Sequence, residues 1–100
     1  MKKIIFAAIF LLFISSAFAD NFQLVYREGN NRYSVSYSYF RIIDRNGNKL
    51  AHQGYSDKYG RIIVNLNRGS YICEIVYRNR TYRKAITIDG STEIREIQLQ

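Results

Sequence analysis

The stretch from Ser56 to Tyr71, SDKYGRIIVNLNRGSY, constrains the fold of this chain more than any other. Asp57 and Gly60 bracket a tight turn, since aspartate bonds to its own backbone and glycine tolerates a positive φ. Apolar side chains then recur at every second position: Ile62, Val64 and Leu66. After a second turn comes another alternating run: Tyr71, Cys73, Ile75 and Tyr77. A period of two between turns of Asn, Asp and Gly is typical of strands that bury one face, so the stretch predicts a β-sandwich.

The same pattern extends over most of the chain. Seven segments are predicted as strands: Phe22–Tyr26, Tyr33–Asp44, Lys49–Gly54, Arg61–Leu66, Tyr71–Arg78, Thr81–Ile88 and Glu93–Leu99. They are short and evenly spaced, and the turns between them are rich in Asn, Asp and Gly. None has the period of an amphipathic helix. This spacing favours an all-β domain.

The predicted strand Tyr33–Asp44 contains a change of phase. Its first half alternates, with tyrosine or valine at 33, 35, 37 and 39 and serine at 34, 36 and 38. Phe40 and Ile42 then place apolar side chains in the other phase. A strand of period two cannot change the face that it buries without an irregularity. Either a β-bulge lies near Ser38–Tyr39, or the tyrosine face points outward, and the residues leave both alternatives open.

The first 19 residues have the three parts of a secretory signal peptide. Two lysines precede an apolar run, Ile4–Ile14, and Ala17-Phe18-Ala19 is an A-x-A cleavage site. The alternative is a membrane anchor, but the run is shorter than the roughly 20 residues of a spanning helix, and no cysteine follows for a lipid. We predict cleavage after Ala19, one mature domain over residues 20–100 without a stable membrane span, and export to the periplasm or surface of a bacterium.

Loss of Lys2 and Lys3 with the signal peptide lowers the net charge from +7 to +5. A moderate positive charge favours anionic partners such as nucleic acid, lipid headgroups or acidic glycans. The basic residues are scattered over several strands, however, which equally suits a soluble surface. Cys73 is the one cysteine, and its phase with Tyr71 and Ile75 predicts a buried thiol. An intermolecular disulfide is the alternative.

Two runs carry a more specific resemblance. The first is Phe40-x-Ile42-x-Asp44-x-Asn46-Gly47. The second is Ser56-Asp57-x-x-Gly60-Arg61-Ile62-x-Val64-x-Leu66-x-x-Gly69-x-Tyr71-x-Cys73-x-Ile75. This part of the chain, Phe40–Leu99, resembles the carboxypeptidase-regulatory-like and transthyretin-like (prealbumin-like) domains, and is similar to collagen-adhesin B-type repeats. The resemblance implies a seven-stranded Greek-key sandwich of the prealbumin or immunoglobulin type. It implies little about function, since such domains serve as spacers, ligand-binding modules, adhesin stalks and accessory domains of enzymes.

The residues contain no recognisable catalytic or metal-binding set. The resemblance includes one enzymatic branch, the hydroxyisourate hydrolases, which need a cluster of His and Arg and a characteristic C-terminal tail. This chain has His52 alone and ends in Ile97–Gln100. Asp44-x-Asn46-x-Asn48 begins like a calcium loop but lacks the glycine and glutamate that complete one. We therefore predict a protein that is not an enzyme and that uses no cofactor or metal.

Tyrosine exceeds what the fold needs, with nine in the chain. The first functional hypothesis is an interaction or structural module that self-associates or docks on a cell-envelope, secretion or surface-fibre assembly. Exposed tyrosine beside arginine suits a protein interface. The candidate residues lie along one predicted strand: Tyr33, Tyr37, Tyr39 and Arg41. The opposite orientation, with these tyrosines in the core and the serines in water, is equally compatible with the sequence.

The second hypothesis is a binder of anionic polymer, either a glycan or extracellular nucleic acid. A predicted hairpin carries four basic residues and one aromatic ring that could stack on a base or sugar. These residues are Arg78, Arg80, Tyr82, Arg83 and Lys84. Binding of this kind weakens steeply with salt.

Overall fold

The computed structural model describes residues 17–100, and this part of the chain is all-β. It contains eight strands: β1 (Ala17–Glu28), β2 (Asn31–Ser34), β3 (Tyr39–Asp44), β4 (Lys49–Tyr55), β5 (Arg61–Asn67), β6 (Gly69–Tyr77), β7 (Arg80–Ile88) and β8 (Ile94–Gln98). The first sheet joins β2, β5 and β8 to β1, and the second has the order β4-β3-β6-β7. The pairs are antiparallel except for β1 and β8, which run parallel. The predicted all-β sandwich is confirmed.

The alternating residues of the sequence form the core between the two sheets. On β5 the buried side chains are Ile62 and Val64, and on β6 they include Cys73 and Ile75. Apolar residues of the other strands complete one cluster: Phe22, Leu24, Tyr26, Val35, Phe40, Ile42, Tyr71, Ile86, Ile88, Ile97 and Leu99. Burial of this apolar surface is the main force that holds the sheets together.

Strand β1 organises the first sheet because it has partners along both edges. The N–H of Leu24 donates to the carbonyl of Gly60, and the carbonyl of Leu24 accepts from Val35. The carbonyl of Val25 instead accepts from Leu99. Successive residues of a strand direct their backbone groups to opposite edges. Strands β5 and β2 therefore lie end to end along one edge of β1, and β8 lies along the other.

Gly60 lies where β5 and β2 meet. Its φ is +77°, a left-handed conformation that side chains with a Cβ rarely adopt. A Cβ at this position would lie 2.7 Å from the carbonyl oxygen of Leu24 and 2.9 Å from the nitrogen of Val35. The turn predicted at Ser56–Gly60 therefore needs glycine for both its conformation and its space.

The predicted single strand Tyr33–Asp44 is wrong, because the chain divides it between the sheets. Strand β2 belongs to the first sheet and β3 to the second, and Tyr37 has a φ of 50° at the crossing between them. The change of phase therefore comes from a change of sheet. It comes neither from a β-bulge within one strand nor from a tyrosine face that points outward along one strand. Residues 17–100 consequently contain eight strands where seven were predicted.

The buried Ser56 stabilises this crossing through hydrogen bonds to its backbone. Its hydroxyl donates to the carbonyl of Val35 at 2.6 Å and accepts from the N–H of Ser38 at 2.9 Å. Its own N–H donates to the carbonyl of Ser38 at 3.0 Å. A buried serine thus satisfies backbone groups that no strand ladder reaches at the crossing.

Most of the predicted signal peptide, residues 1–16, lies outside the described residues, so its cleavage stays a prediction. Its last three positions, Ala17–Ala19, belong to β1 and pair with Asn65–Asn67 of β5. In the described part of the chain, no helix has the length and apolar character needed to cross a membrane.

Candidate functional site: the β4–β5 cleft

A cleft of about 580 Å³ opens along one side of the sandwich, between β4 at the edge of the second sheet and β5 at the edge of the first. We call it the β4–β5 cleft. Its lining comes from five strands and the loops beside them: Asn21, Phe22, Phe40, His52, Gly54, Tyr55, Asp57, Arg61, Ile62, Ile63, Thr92 and Ile94. Its volume is that of an ordinary ligand or peptide site.

The floor of the cleft is aromatic. Phe22 and Phe40 are buried, and the ring of His52 lies 5.6 Å from that of Phe40. Gly54 pairs with Phe40 across β3 and β4, and a Cβ at Gly54 would lie 3.5 Å from the phenyl ring. A larger residue at this position would therefore lie against the Phe40 ring, and both residues line the cleft.

The rim of the cleft is apolar and exposed. Tyr55 is 71% exposed, Ile63 is 62% exposed and Ile94 is 51% exposed. Ile63 and Ile94 both pair with Asn21, from opposite edges of β1, so they lie on the same outer face of the first sheet. Single exposed apolar residues are normal, whereas several around one cleft form a candidate binding surface.

The β4–β5 turn adds positive charge to this rim. The Asp57 carboxylate accepts from the N–H groups of Tyr59 and Arg61, both at 2.8 Å, and so is used within the turn. The Lys58 ammonium lies 5.0 Å from the centroid of the Tyr59 ring, and the Arg61 guanidinium lies 5.4 Å from it. Both cations thus lie beside the exposed Tyr59 ring, and Arg61 also lines the cleft.

The predicted tyrosine face does not form a continuous ladder. Tyr33 lies on β2 in the first sheet, and the Arg78 guanidinium lies 5.4 Å from its ring centroid. Tyr37 lies in the crossing and is largely exposed. Tyr39 lies on β3 in the second sheet, where its hydroxyl donates to Gln53 at 2.6 Å. The division of the predicted strand separates these side chains, which a period-two reading had placed together.

Arg41, the fourth predicted residue, belongs to a row of charges on the outer face of the second sheet. Its guanidinium pairs with the Glu74 carboxylate, whose other oxygen accepts from Arg83 at 2.7 Å. The hydrogen bond and charge of Glu74 raise the pKa of Arg41. Glu74 itself is buried between the two arginines.

Tyr39 contacts one aromatic side chain that lines the cleft, that of Tyr55. Its ring lies 5.5 Å from that of Tyr55, which pairs with it across β3 and β4. Tyr55 is also part of the cleft rim. The tyrosine pair therefore continues the rim onto the outer face of the second sheet.

Most of the predicted basic hairpin is used inside the molecule. Arg78 donates to Glu28 at 3.0 Å and stacks over the Tyr26 and Tyr77 rings, and Arg83 pairs with Glu74. Tyr82 is half-buried and lies 6.4 Å from the Tyr26 ring. Of the five predicted residues, these three have their side chains engaged, and Arg80 and Lys84 have no acidic partner in residues 17–100.

Cys73 lies in the core, as its phase predicts. Burial, with a smaller contribution from Glu74, raises the pKa of its thiol from 9.0 to about 12. A thiol that is protonated and inaccessible at neutral pH is a poor nucleophile and a poor partner for an intermolecular disulfide.

The described residues contain no group of three or more His, Cys, Asp or Glu side chains that could hold a metal ion. Asp44, which begins the calcium-like run, accepts from the N–H of Asn46 at 2.9 Å. Its carbonyl accepts from the N–H of Asn48 at 2.8 Å. These bonds are those of a turn residue.

Comparison with known protein families and with curated proteins found no match to this chain. Among solved structures, the chain is similar to the Bacillus anthracis TIE protein, with a TM-score of 0.60 and 19% sequence identity. The similarity covers 83% of this chain and 17% of that chain. At this identity it supports the β-sandwich fold and carries no statement about function.

Sequence reasoning missed the β4–β5 cleft. One signal was present in RIIVNLN, where Ile63 is apolar although its phase faces away from the core. A second signal was Ile94, an apolar residue that lies on the opposite face of its strand from the buried Ile97. Their meeting could not be predicted, because it depends on β1 lying between β5 and β8.

Proposed function

We propose that this protein is a non-catalytic interaction module, and that it docks on a larger assembly or on a second copy through the β4–β5 cleft. One observation carries the proposal: three largely exposed apolar side chains, Tyr55, Ile63 and Ile94, surround a cleft with an aromatic floor. Aromatic anchors in a concave, apolar surface are typical of the centres of protein interfaces.

The first hypothesis from the sequence is kept in a modified form. Tyr39 contributes to this surface through its contact with Tyr55, whereas Tyr33 lies away from it on the first sheet. Export by the predicted signal peptide, a periplasmic or surface location, Greek-key connectivity and kinship with transthyretin-like or carboxypeptidase-regulatory-like domains belong to the same proposal. The cell-envelope, secretion or surface-fibre assembly is its expected setting.

Site-specific photo-crosslinking in the producing cell tests this proposal. The full chain would carry a photo-reactive amino acid in place of Ile63 or, as control, of Asn46, which is exposed in the turn before β4. We expect a discrete crosslinked species from position 63 and none from position 46. Equal crosslinking from both positions, or none from position 63, would contradict the proposal.

Binding of anionic polymer remains the second candidate, now confined to Arg80 and Lys84. These two side chains have no acidic partner in residues 17–100. Elution from heparin resin should shift to lower salt in the double variant Arg80→Ala, Lys84→Ala. An unchanged elution position would remove this candidate.

A further inference from the structure

The outer edge of β5 presents backbone hydrogen-bonding groups that lack a partner. The carbonyl of Gly60 faces β1, because it accepts from Leu24, and the carbonyl of Arg61 faces away, because it accepts from Asp57. Alternation along the strand then directs the N–H and C=O groups of Ile63 and Asn65 away from β1. No strand in residues 17–100 pairs with this edge.

Both ends of this free edge are closed. At the start of β5, the N–H of Arg61 donates to the Asp57 carboxylate at 2.8 Å. At its end, the carbonyl of Asn67 accepts from the Tyr71 hydroxyl at 2.7 Å. Ile63 and Asn65 are thus the open positions in the middle of the edge.

The edge also lacks three of the features by which natural proteins protect exposed strands: lysine, proline and a β-bulge. Strand β5 contains no lysine and no proline, and its register with β1 runs without a bulge from Ala17 to Gln23. Strand β4, by contrast, has an irregularity opposite Ile42 and Ile43. An unprotected edge with free backbone groups is suited to strand addition.

The charge around the edge indicates which strand it would accept. Lys58 lies in the turn that precedes β5, and Arg61 begins β5 and lines the cleft. Neither residue has an ion pair in residues 17–100. Asp57 is the only acidic residue of the cleft lining, and its carboxylate is used by the turn. A second copy of this positively charged chain would bring like charges together, whereas a carboxylate-bearing segment would oppose them.

We propose that the outer edge of β5 binds an extended acidic peptide segment, which adds one strand to the first sheet. Alternate apolar side chains of this segment enter the β4–β5 cleft above Phe22 and Phe40. Its carboxylates lie near Lys58 and Arg61. The inference rests on the proposed function and names the chemistry of the partner.

The probe is a capped octapeptide of alternating valine and glutamate, and its control alternates valine and lysine. Binding to the purified full chain would be followed by fluorescence anisotropy. We expect the glutamate peptide to bind at least about tenfold more tightly than the lysine peptide, and to weaken severalfold between about 50 and about 500 mM salt.

Two substitutions at one position isolate the backbone contribution. Asn65→Pro removes the outward N–H without removing a bond to β1, and Asn65→Ala removes the same side chain but keeps the N–H. We expect Asn65→Pro to weaken binding about tenfold and Asn65→Ala to weaken it less than about threefold. If Asn65→Pro fails to fold, amide exchange of the natural protein gives the same answer, since the peptide should slow exchange at Ile63 and Asn65.

Several results would overturn the acidic-strand proposal: no binding of the glutamate peptide, equal binding of both peptides, equal affinities of the two variants, or unchanged exchange at Ile63 and Asn65. A dimer that forms without peptide and is lost in Asn65→Pro would make a second copy the occupant instead. In each case crosslinking from position 63 tests the proposed function separately.

Discussion

The sandwich has two open sides, and the chain closes them in different ways. On the β7–β8 side, a groove of about 320 Å³ runs between the edge strands of the two sheets. Arg95 of β8 pairs there with the buried Asp20 carboxylate, and its guanidinium lies 4.7 Å from the centroid of the Phe22 ring. Asp20 also accepts from the N–H groups of Asp89 at 3.2 Å and Gly90 at 3.1 Å.

On the β4–β5 side, the exposed groups include apolar side chains, the cations Lys58 and Arg61, and free backbone atoms. Ile63 and Tyr55 point into water, and the acidic group nearby, Asp57, serves its own turn. This comparison distinguishes side chains that stabilise the fold from side chains that are exposed for binding. The Asp20–Arg95 pair of the β7–β8 side is used to hold the fold, whereas the apolar and backbone groups of the β4–β5 side are available to a partner.

Loss of the buried ion pair should have the largest effect on stability. Asp20→Ala leaves Arg95 and two backbone N–H groups without their acceptor, which should lower the free energy of unfolding by about 3–5 kcal/mol. Urea unfolding measures this change. Asp89→Ala is the matched control, because Asp89 lies 3.6 Å from Arg95 and is half exposed, and it should cost less than about 1 kcal/mol. Equal costs would contradict the account of the β7–β8 side.

Substitution at the start of β5 should come next. Gly60→Ala introduces a Cβ against the Leu24 carbonyl and strains a left-handed backbone, so we expect a loss of about 3 kcal/mol. Gly47→Ala meets nothing closer than a Lys49 side-chain carbon at 3.6 Å and should be nearly neutral. Thermal unfolding of both variants would show whether the β5–β2 junction is as tight as described.

The core shared by both sides should respond to alkaline pH through Cys73. Burial raises the pKa of this thiol from 9.0 to about 12, so the unfolded chain ionises it first. Its contribution to stability is full below about pH 9 and falls at higher pH by about 1.4 kcal/mol per pH unit until about pH 12. The free energy of unfolding should therefore decline more steeply above pH 9 in the natural protein than in Cys73→Ala. Parallel declines would show that the thiol is accessible.

The smallest change in the free energy of unfolding is expected at Ile63, and its buried neighbour Ile62 is the matched control. Ile63→Ala removes an exposed side chain and should change the free energy of unfolding by less than about 0.5 kcal/mol. Ile62→Ala removes a buried one and should cost about 2–5 kcal/mol. Chemical unfolding distinguishes them. A large cost at Ile63 would mean that this side chain supports the fold rather than a partner.

Local periodicity predicted the strands well because burial of one face is a local property of the sequence. Ile62, Val64, Cys73 and Ile75 are buried as their phase required. The crossing at Tyr37 was not predictable, because it depends on the Ser56 hydroxyl, which is eighteen residues from the Ser38 N–H that it satisfies. Pairing of β8 with β1 is likewise long-range and parallel.

The candidate site was mispredicted for the same reason. Tyr33 and Tyr39 share a phase in the sequence, but they lie in different sheets. Arg78 and Arg83 are basic residues in a hairpin, but their acidic partners, Glu28 and Glu74, come from other strands. Which charges are free, and which strands become edges, is decided by pairing that a single sequence does not reveal.

Amide hydrogen exchange of the dilute protein, read residue by residue, tests the central claim most directly. If the outer edge of β5 is free, the N–H groups of Ile63 and Asn65 exchange rapidly, and those of Ile62 and Val64, which face β1, exchange slowly. This alternation is the predicted result. Slow exchange at Ile63 and Asn65, equal to that of Ile62 and Val64, would mean that the edge is already occupied, and would contradict a free docking edge.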